Sequence, residues 1–127
     1  MVSNIPNSFD FAQKLGIIQL DNNETFVSFD VVSLYTSVPI DISLDIIKNL
    51  IENDTSLNAR TPLTSTEILE GLELCLRSTL FVFKNQLYKQ VNGVAMGSPV
   101  SPIVANLFLA DLESHALANF TNTPRIW

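Results

Sequence analysis

The sequence predicts an α+β fold in which few antiparallel strands pack with helices. Three observations carry that expectation. Apolar residues recur at three- and four-residue spacing in several stretches that begin with capping residues. Two short aromatic and β-branched runs flank Lys84-Asn85-Gln86, a hairpin pattern. The remaining strand-like residues are too few to close a sheet by themselves.

In chain order, Asn7 or Ser8 can cap a short helix through Phe9, Phe11, Ala12 and Leu15, with Gly16 as its terminator. From 25 to 31, Phe26, Ser28 and Asp30 alternate with Val27, Phe29 and Val31, which suits a strand packed on both faces and places Asp30 at its end. Pro39 breaks the chain. Asp41 or Ser43 then opens a helix with Leu44, Ile47, Leu50 and Ile51 on one side, ending near Asn53. Residues 54–62 read as a polar loop. Thr64 and Glu67 form a capping box for the next helix, whose broad apolar face carries Ile68, Leu69, Leu72, Cys75, Leu76 and Leu80. The hairpin arms, 80–83 and 87–91, lead into a loop punctuated by Gly93 and Gly97. Ser101 caps a long helix that opens with Pro102 and runs to about Asn119, with Val104, Leu107, Phe108, Leu112 and Ala116 inward and Asp111, Glu113 and Ser114 mostly outward. Residues 121–127 read as linker.

With 127 residues the chain is one domain or part of one, and 46% hydrophobic against 16% charged residues excludes a disordered chain. The apolar runs are interrupted well before the about 18 residues that a membrane span needs, and no export signal follows Met1. Cys75 has no second cysteine to pair with, so a buried thiol in a reducing, intracellular compartment is expected. A net charge of −6 with only seven Lys and Arg argues against broad phosphate contact. That tension eases if the chain is the acidic heart of a longer protein whose basic surfaces lie elsewhere.

Two stretches carry chemistry. In Phe29-Asp30-Val31-Val32-Ser33-Leu34-Tyr35, a carboxylate ends a strand-like run, where burial is costly unless a cation or hydrogen bonds compensate it. The alternative is that Asp30 caps the following turn. In the stretch from Gly93 to Phe108, glycines and two X-Pro pairs shape a loop that feeds a helix; a phosphate-binding P-loop is excluded because Gly97 is followed by Ser98 and Pro99 without a lysine. The alternative there is a tight hairpin-to-helix connection. Asp41 and Asp45 suit a helix start, while Asp111 and Glu113 cannot face the same way on a helix and His115 has no second His or Cys at ligand spacing. Lys84, Lys89 and Arg60 are the candidates for phosphate contacts.

Taken together and in this order, the two stretches resemble conserved blocks of the reverse transcriptase palm, most like those of Penelope-like retroelements. The likeness extends to Asn7-Ser8-Phe9-Asp10-Phe11 with Lys14-Leu15, to Pro39, and to the hairpin entering the glycine loop. It implies a partial fingers and palm of a right-hand RNA-directed DNA polymerase over 1–127, truncated before a Tyr-x-Asp-Asp block and the thumb. Asp30 would be the catalytic, Mg²⁺-binding (or Mn²⁺-binding) carboxylate, and Tyr35 the ring that excludes a ribose 2′-hydroxyl. Gly97, Ser98 and Pro99 would lie against the nascent base pair, and Asn106 would hold the loop and the active-site strand. RNA template, DNA primer and dNTP would be partners of the complete enzyme, acting in the nucleus, with two-metal nucleotidyl transfer as its chemistry. Asp30 alone cannot hold two metals, so this chain by itself is expected to be inactive. The competing expectation is a non-catalytic, palm-derived interaction module or a decayed remnant of the element.

Overall fold

The computed structural model describes residues 5–127. They divide into two compact units, one made of 5–31 with Thr121–Trp127, the other of Val32–Phe120.

The larger unit begins with a one-turn helix α2 (Leu34–Ser37), followed by α3 (Ile40–Glu52), a second single turn α4 (Leu57–Arg60), α5 (Ser65–Arg77), the hairpin strands β1 (Leu80–Phe83) and β2 (Gln86–Lys89), and the long α6 (Ser101–Asn119). Pro39 sits at the N-cap of α3 with extended backbone, and Ser43 turns inward to donate its hydroxyl proton to the Pro39 carbonyl at 2.7 Å. The Thr64–Glu67 capping box forms in full: the Thr64 hydroxyl oxygen accepts the Glu67 N–H, and the Glu67 carboxylate accepts the Thr64 N–H. α3 packs against both α5 and α6. Their shared core consists of Val38, Ile40, Ile47, Leu76, Val94, Val104 and Ala105, bordered by half-buried Leu34, Tyr35, Leu69 and Leu72.

Residues 54–62, expected to be irregular, contain the α4 turn, closed by the Leu57 carbonyl accepting the Thr61 N–H at 3.1 Å. The hairpin loop is two residues rather than three, because Phe83 pairs with Gln86. Lys84 and Asn85 both take positive φ, 49° and 61°, which matches the right-handed twist of the flanking strands.

Several expectations are corrected. Cys75 is exposed, because the stripe of α5 that meets the core runs through Leu69, Leu72 and Leu76 and leaves Cys75 to one side. Ser101 is the first helical residue rather than the cap. Val100 before it is already helical, and cap geometry needs extended backbone there. The Ser101 hydroxyl is fully buried without a hydrogen-bond partner. Leu112 and Ala116 are exposed, since α6 joins the core only through its N-terminal half.

In the smaller unit, α1 (Ser8–Gly16) starts as expected, with the Asn7 side chain accepting the Asp10 N–H at 3.0 Å, but no residue of α1 is buried. The strand expected over 25–31 does not form, and all seven residues are exposed without regular structure. A strand packed on both faces needs a hydrogen-bonded neighbour. Among the described residues the only paired strands are β1 and β2. Residues 121–127 are more than a linker: Arg125 donates to the Gln19 carbonyl at 2.9 Å and pairs with Glu24 at 2.7 Å, and Trp127 lies 6.1 Å from the Phe29 ring.

Candidate functional site

In the larger unit the end of the first stretch, at Tyr35, meets the start of the second, at Gly93 and Val94, although 58 positions separate Tyr35 from Gly93 in the chain. The turn that carries Tyr35 begins at Ser33, whose φ of 52° and ψ of 50° place a non-glycine residue in the left-handed region. From there the backbone coils once, with the Ser33 carbonyl accepting both the Ser37 N–H at 3.1 Å and the Thr36 hydroxyl at 3.0 Å. The Tyr35 carbonyl accepts the N–H of the buried Val94 at 2.7 Å.

Gly93 makes that approach possible. A Cβ built on it would lie 2.5 Å from the Thr36 Cα and 2.6 Å from the Thr36 and Tyr35 carbonyl oxygens, and its φ is +73°. Glycine is therefore required twice over, for space and for conformation. Val94 behind it is fully buried, so the loop is anchored into the core beside Val38 and Val104. Gln90, one residue past β2, fixes the approach: its side-chain amide donates to the Asn92 carbonyl at 2.9 Å and to the Val94 carbonyl at 3.3 Å. Sequence reasoning missed Gln90; the sign of it is a polar residue placed at a strand end where backbone carbonyls must be satisfied.

Further along, Gly97 is exposed with a φ of +93°, and nothing lies within 4 Å of the position a Cβ would take. Open space surrounds this part of the loop. Ser98 is half-buried and closes the turn before α6: its hydroxyl accepts the Val100 N–H at 3.4 Å and its carbonyl accepts the Ser101 N–H at 3.2 Å. Pro99 is exposed beside it. Asn106 is also exposed, and its side chain makes no hydrogen bond among the described residues.

A shallow cavity of about 270 Å³ opens between the end of the Tyr35 turn and the hairpin exit, lined by Thr36 to Asp41 with Arg77, Val91, Asn92 and Gly93. Arg77 on its wall is engaged by Glu73 at 2.7 Å and by Asp41, so Asp41 ties α3 to α5. The hydrogen bond it donates to Glu73, then that to Asp41, hold the guanidinium pKa above its ordinary value.

Asp30 belongs to the smaller unit. It is exposed, and its carboxylate accepts the N–H of Val31 at 2.9 Å, the turn-capping alternative. No group of three or more His, Cys, Asp or Glu that could hold a metal occurs among the described residues. The residues present do not fit a magnesium site: one exposed carboxylate lacks the set of oxygens that Mg²⁺ needs. His115 keeps to its own helix, with Nδ1 3.2 Å from the Asp111 carboxylate. No helix among the described residues is long and apolar enough to cross a membrane.

No family model, curated protein or solved structure matches the chain.

Proposed function

We propose that this chain supplies the nucleotide-positioning part of an RNA-directed DNA polymerase of the Penelope-like type, its fingers and palm. The observation that carries the reading is the docking of the glycine loop on the Tyr35 turn, through the Val94 to Tyr35 hydrogen bond and the Cβ-free contact of Gly93. Two stretches that resemble separate palm blocks thereby touch at Tyr35 and Gly93. In this reading Tyr35 abuts the sugar of the incoming nucleotide, and Gly97, Ser98 and Pro99 face the nascent base pair. The open space around Gly97 leaves room for a flat base to approach the backbone. The segment that contains the glycine loop is free of acidic residues. From 74 to 110 there is no Asp or Glu but three cations, Arg77, Lys84 and Lys89, so this segment carries +3 and the other residues −9, which together make the net −6. Asp30 is one carboxylate of a catalytic set that the described residues do not complete, and no step is assigned to it alone.

The test joins the chain to a palm segment bearing Tyr-x-Asp-Asp and a thumb, and measures extension of a DNA primer on an RNA template. Extension is expected in the joined protein and not in the 127-residue chain, and Asp30→Ala should abolish it. Tyr35→Ala should raise ribonucleotide use relative to deoxyribonucleotide by about 1–3 kcal/mol of lost discrimination, read as the ratio of kcat/KM. An unchanged ratio with polymerisation intact would reject the role of Tyr35.

A second reading, an interaction module without catalysis, is favoured by the apolar residues left exposed at Phe26, Val27, Phe29 and Val32. No extension in any joined protein, with association lost on Phe26→Ser and Phe29→Ser, would support it instead.

A further inference from the structure

Asn92 is the one asparagine of the sequence that is followed by glycine. It lies in irregular chain between β2 and the glycine loop and is exposed, and its side-chain amide makes no hydrogen bond among the described residues. The N–H of Gly93 makes none either, although Gly93 is buried. Backbone N–H groups of buried residues are nearly always paired, so this one stands out. The main chain at the pair is held from upstream, where the Gln90 side chain donates to the Asn92 carbonyl at 2.9 Å. Both residues line the shallow cavity of about 270 Å³, with Arg77 and Asp41 as its charged lining groups. An electrophilic amide carbon and the nitrogen of the next residue thus stand side by side, neither engaged elsewhere. Glycine has no Cβ to shield that nitrogen.

We propose that Asn92-Gly93 is a self-modifying site, at which the Gly93 nitrogen attacks Cγ of Asn92 and converts the asparagine to aspartate or isoaspartate. The bond from the Gly93 nitrogen to Cγ forms and the Cγ–Nδ2 bond breaks. Nδ2 leaves as ammonia, carrying away the proton of the Gly93 nitrogen, and a five-membered cyclic imide remains. Water admitted by the cavity then adds to one imide carbonyl; its hydroxyl completes a carboxyl group and its other proton returns to the Gly93 nitrogen. Opening at Cγ gives aspartate. Opening at the main-chain carbonyl of residue 92 gives isoaspartate, whose main chain runs through Cβ and Cγ and is one carbon longer.

The two products differ in what they do to the fold. Gly93 already sits so close to the Tyr35 turn that a Cβ on it would lie 2.5 Å from the Thr36 Cα, and the next residue, Val94, reaches the Tyr35 carbonyl at 2.7 Å. An extra main-chain bond of about 1.5 Å directly before Gly93 cannot keep both contacts. Isoaspartate therefore releases the loop from the turn, and because ammonia has left, the release is irreversible. Aspartate preserves the spacing and adds one carboxylate to a segment, 74–110, that has none. The site limits the lifetime of the docked loop by its own chemistry. It rests on the docking geometry and goes beyond the polymerase reading.

The experiment ages the full chain in native buffer at physiological temperature. Peptide mass mapping, with fragmentation that separates aspartate from isoaspartate, follows each asparagine. Conversion at Asn92 should outpace that at Asn22 and Asn23, exposed on a turn, by at least ~10-fold, because neither of those is followed by glycine. Asn92→Gln, whose longer side chain closes the ring poorly, should abolish the conversion and keep the Val94 amide protected from hydrogen exchange. Freshly prepared Asn92→Asp should keep that protection too, whereas the isoaspartate fraction, isolated by chromatography, should lose it. A failed primer extension leaves these outcomes untouched. Reaction at Asn92 no faster than at Asn22, reaction only after unfolding in urea, or isoaspartate chains that keep the Val94 protection would each overturn the proposal.

Discussion

The two units of this chain contain helices that start in the same way and end in very different surroundings. α1 and α5 are both opened by side-chain caps, Asn7 in one and Thr64 in the other. Yet α1 leaves Phe9 86% exposed and buries nothing, while α5 places Leu76 in a core shared with α3, α6 and the glycine loop. A cap needs only its own turn of helix, whereas burial needs an opposing face. The same contrast separates the two chemical stretches. Asp30 sits in irregular chain and bonds to its neighbour Val31, whereas Tyr35 lies on a turn held in place from 58 residues away by Val94.

The comparison breaks most sharply at the glycines. Gly93→Ala forces a Cβ into the backbone of Tyr35 and Thr36 at positive φ, and should cost ~3 kcal/mol of stability in urea denaturation, with loss of the docked loop. Gly97→Ala meets open space, and only its left-handed backbone resists, so ~1 kcal/mol is expected. Ile47→Ala empties a site in the shared core and should cost about 2–4 kcal/mol, while Phe9→Ala on α1 should change stability by no more than about 0.5 kcal/mol. Equal effects at Ile47 and Phe9 would mean that α1 is buried in solution. Thr64→Ala removes half of the capping box and should cost ~1 kcal/mol.

The smallest effect is a dependence on acidity. The Glu67 pKa is held below its ordinary 4.5 by the N–H of Thr64 and then by the Thr64 hydroxyl. A carboxylate whose folded pKa is depressed contributes stability that is present above its ordinary value and lost as pH falls through the folded one. Thr64→Ala should therefore cost less in acid below that window than at neutral pH, measured as the difference in urea midpoint.

What could be read from sequence follows the same division. The capping box at Thr64, the break at Pro39, the Asn7 cap and the hairpin are decided within a few residues and all occur, though the hairpin turn is one residue shorter than expected and the helix after Pro39 starts at Ile40 rather than at Asp41 or Ser43. The strand at 25–31, a buried Cys75 and a capping Ser101 depend on neighbours that no local pattern supplies, and each turned out otherwise. At the candidate site, Tyr35, Gly97 and Ser98 stand out by residue type and order, but what touches the Tyr35 turn is Gly93 and Val94, steadied by Gln90, whose roles appear only when the loop is folded against the turn.

The contact between the loop and the Tyr35 turn is the premise of the proposed nucleotide-positioning role, and it reduces to one proton. The Val94 amide has the Tyr35 carbonyl as its acceptor, at 2.7 Å within a fully buried residue. Its native-state hydrogen exchange is therefore the most direct measurement. Protection close to the global unfolding free energy of the larger unit, and collapse of that protection in Gly93→Ala, is the predicted result. Exchange of Val94 at the rate of an unprotected amide, while the amides of α3 and α5 stay protected, would contradict it.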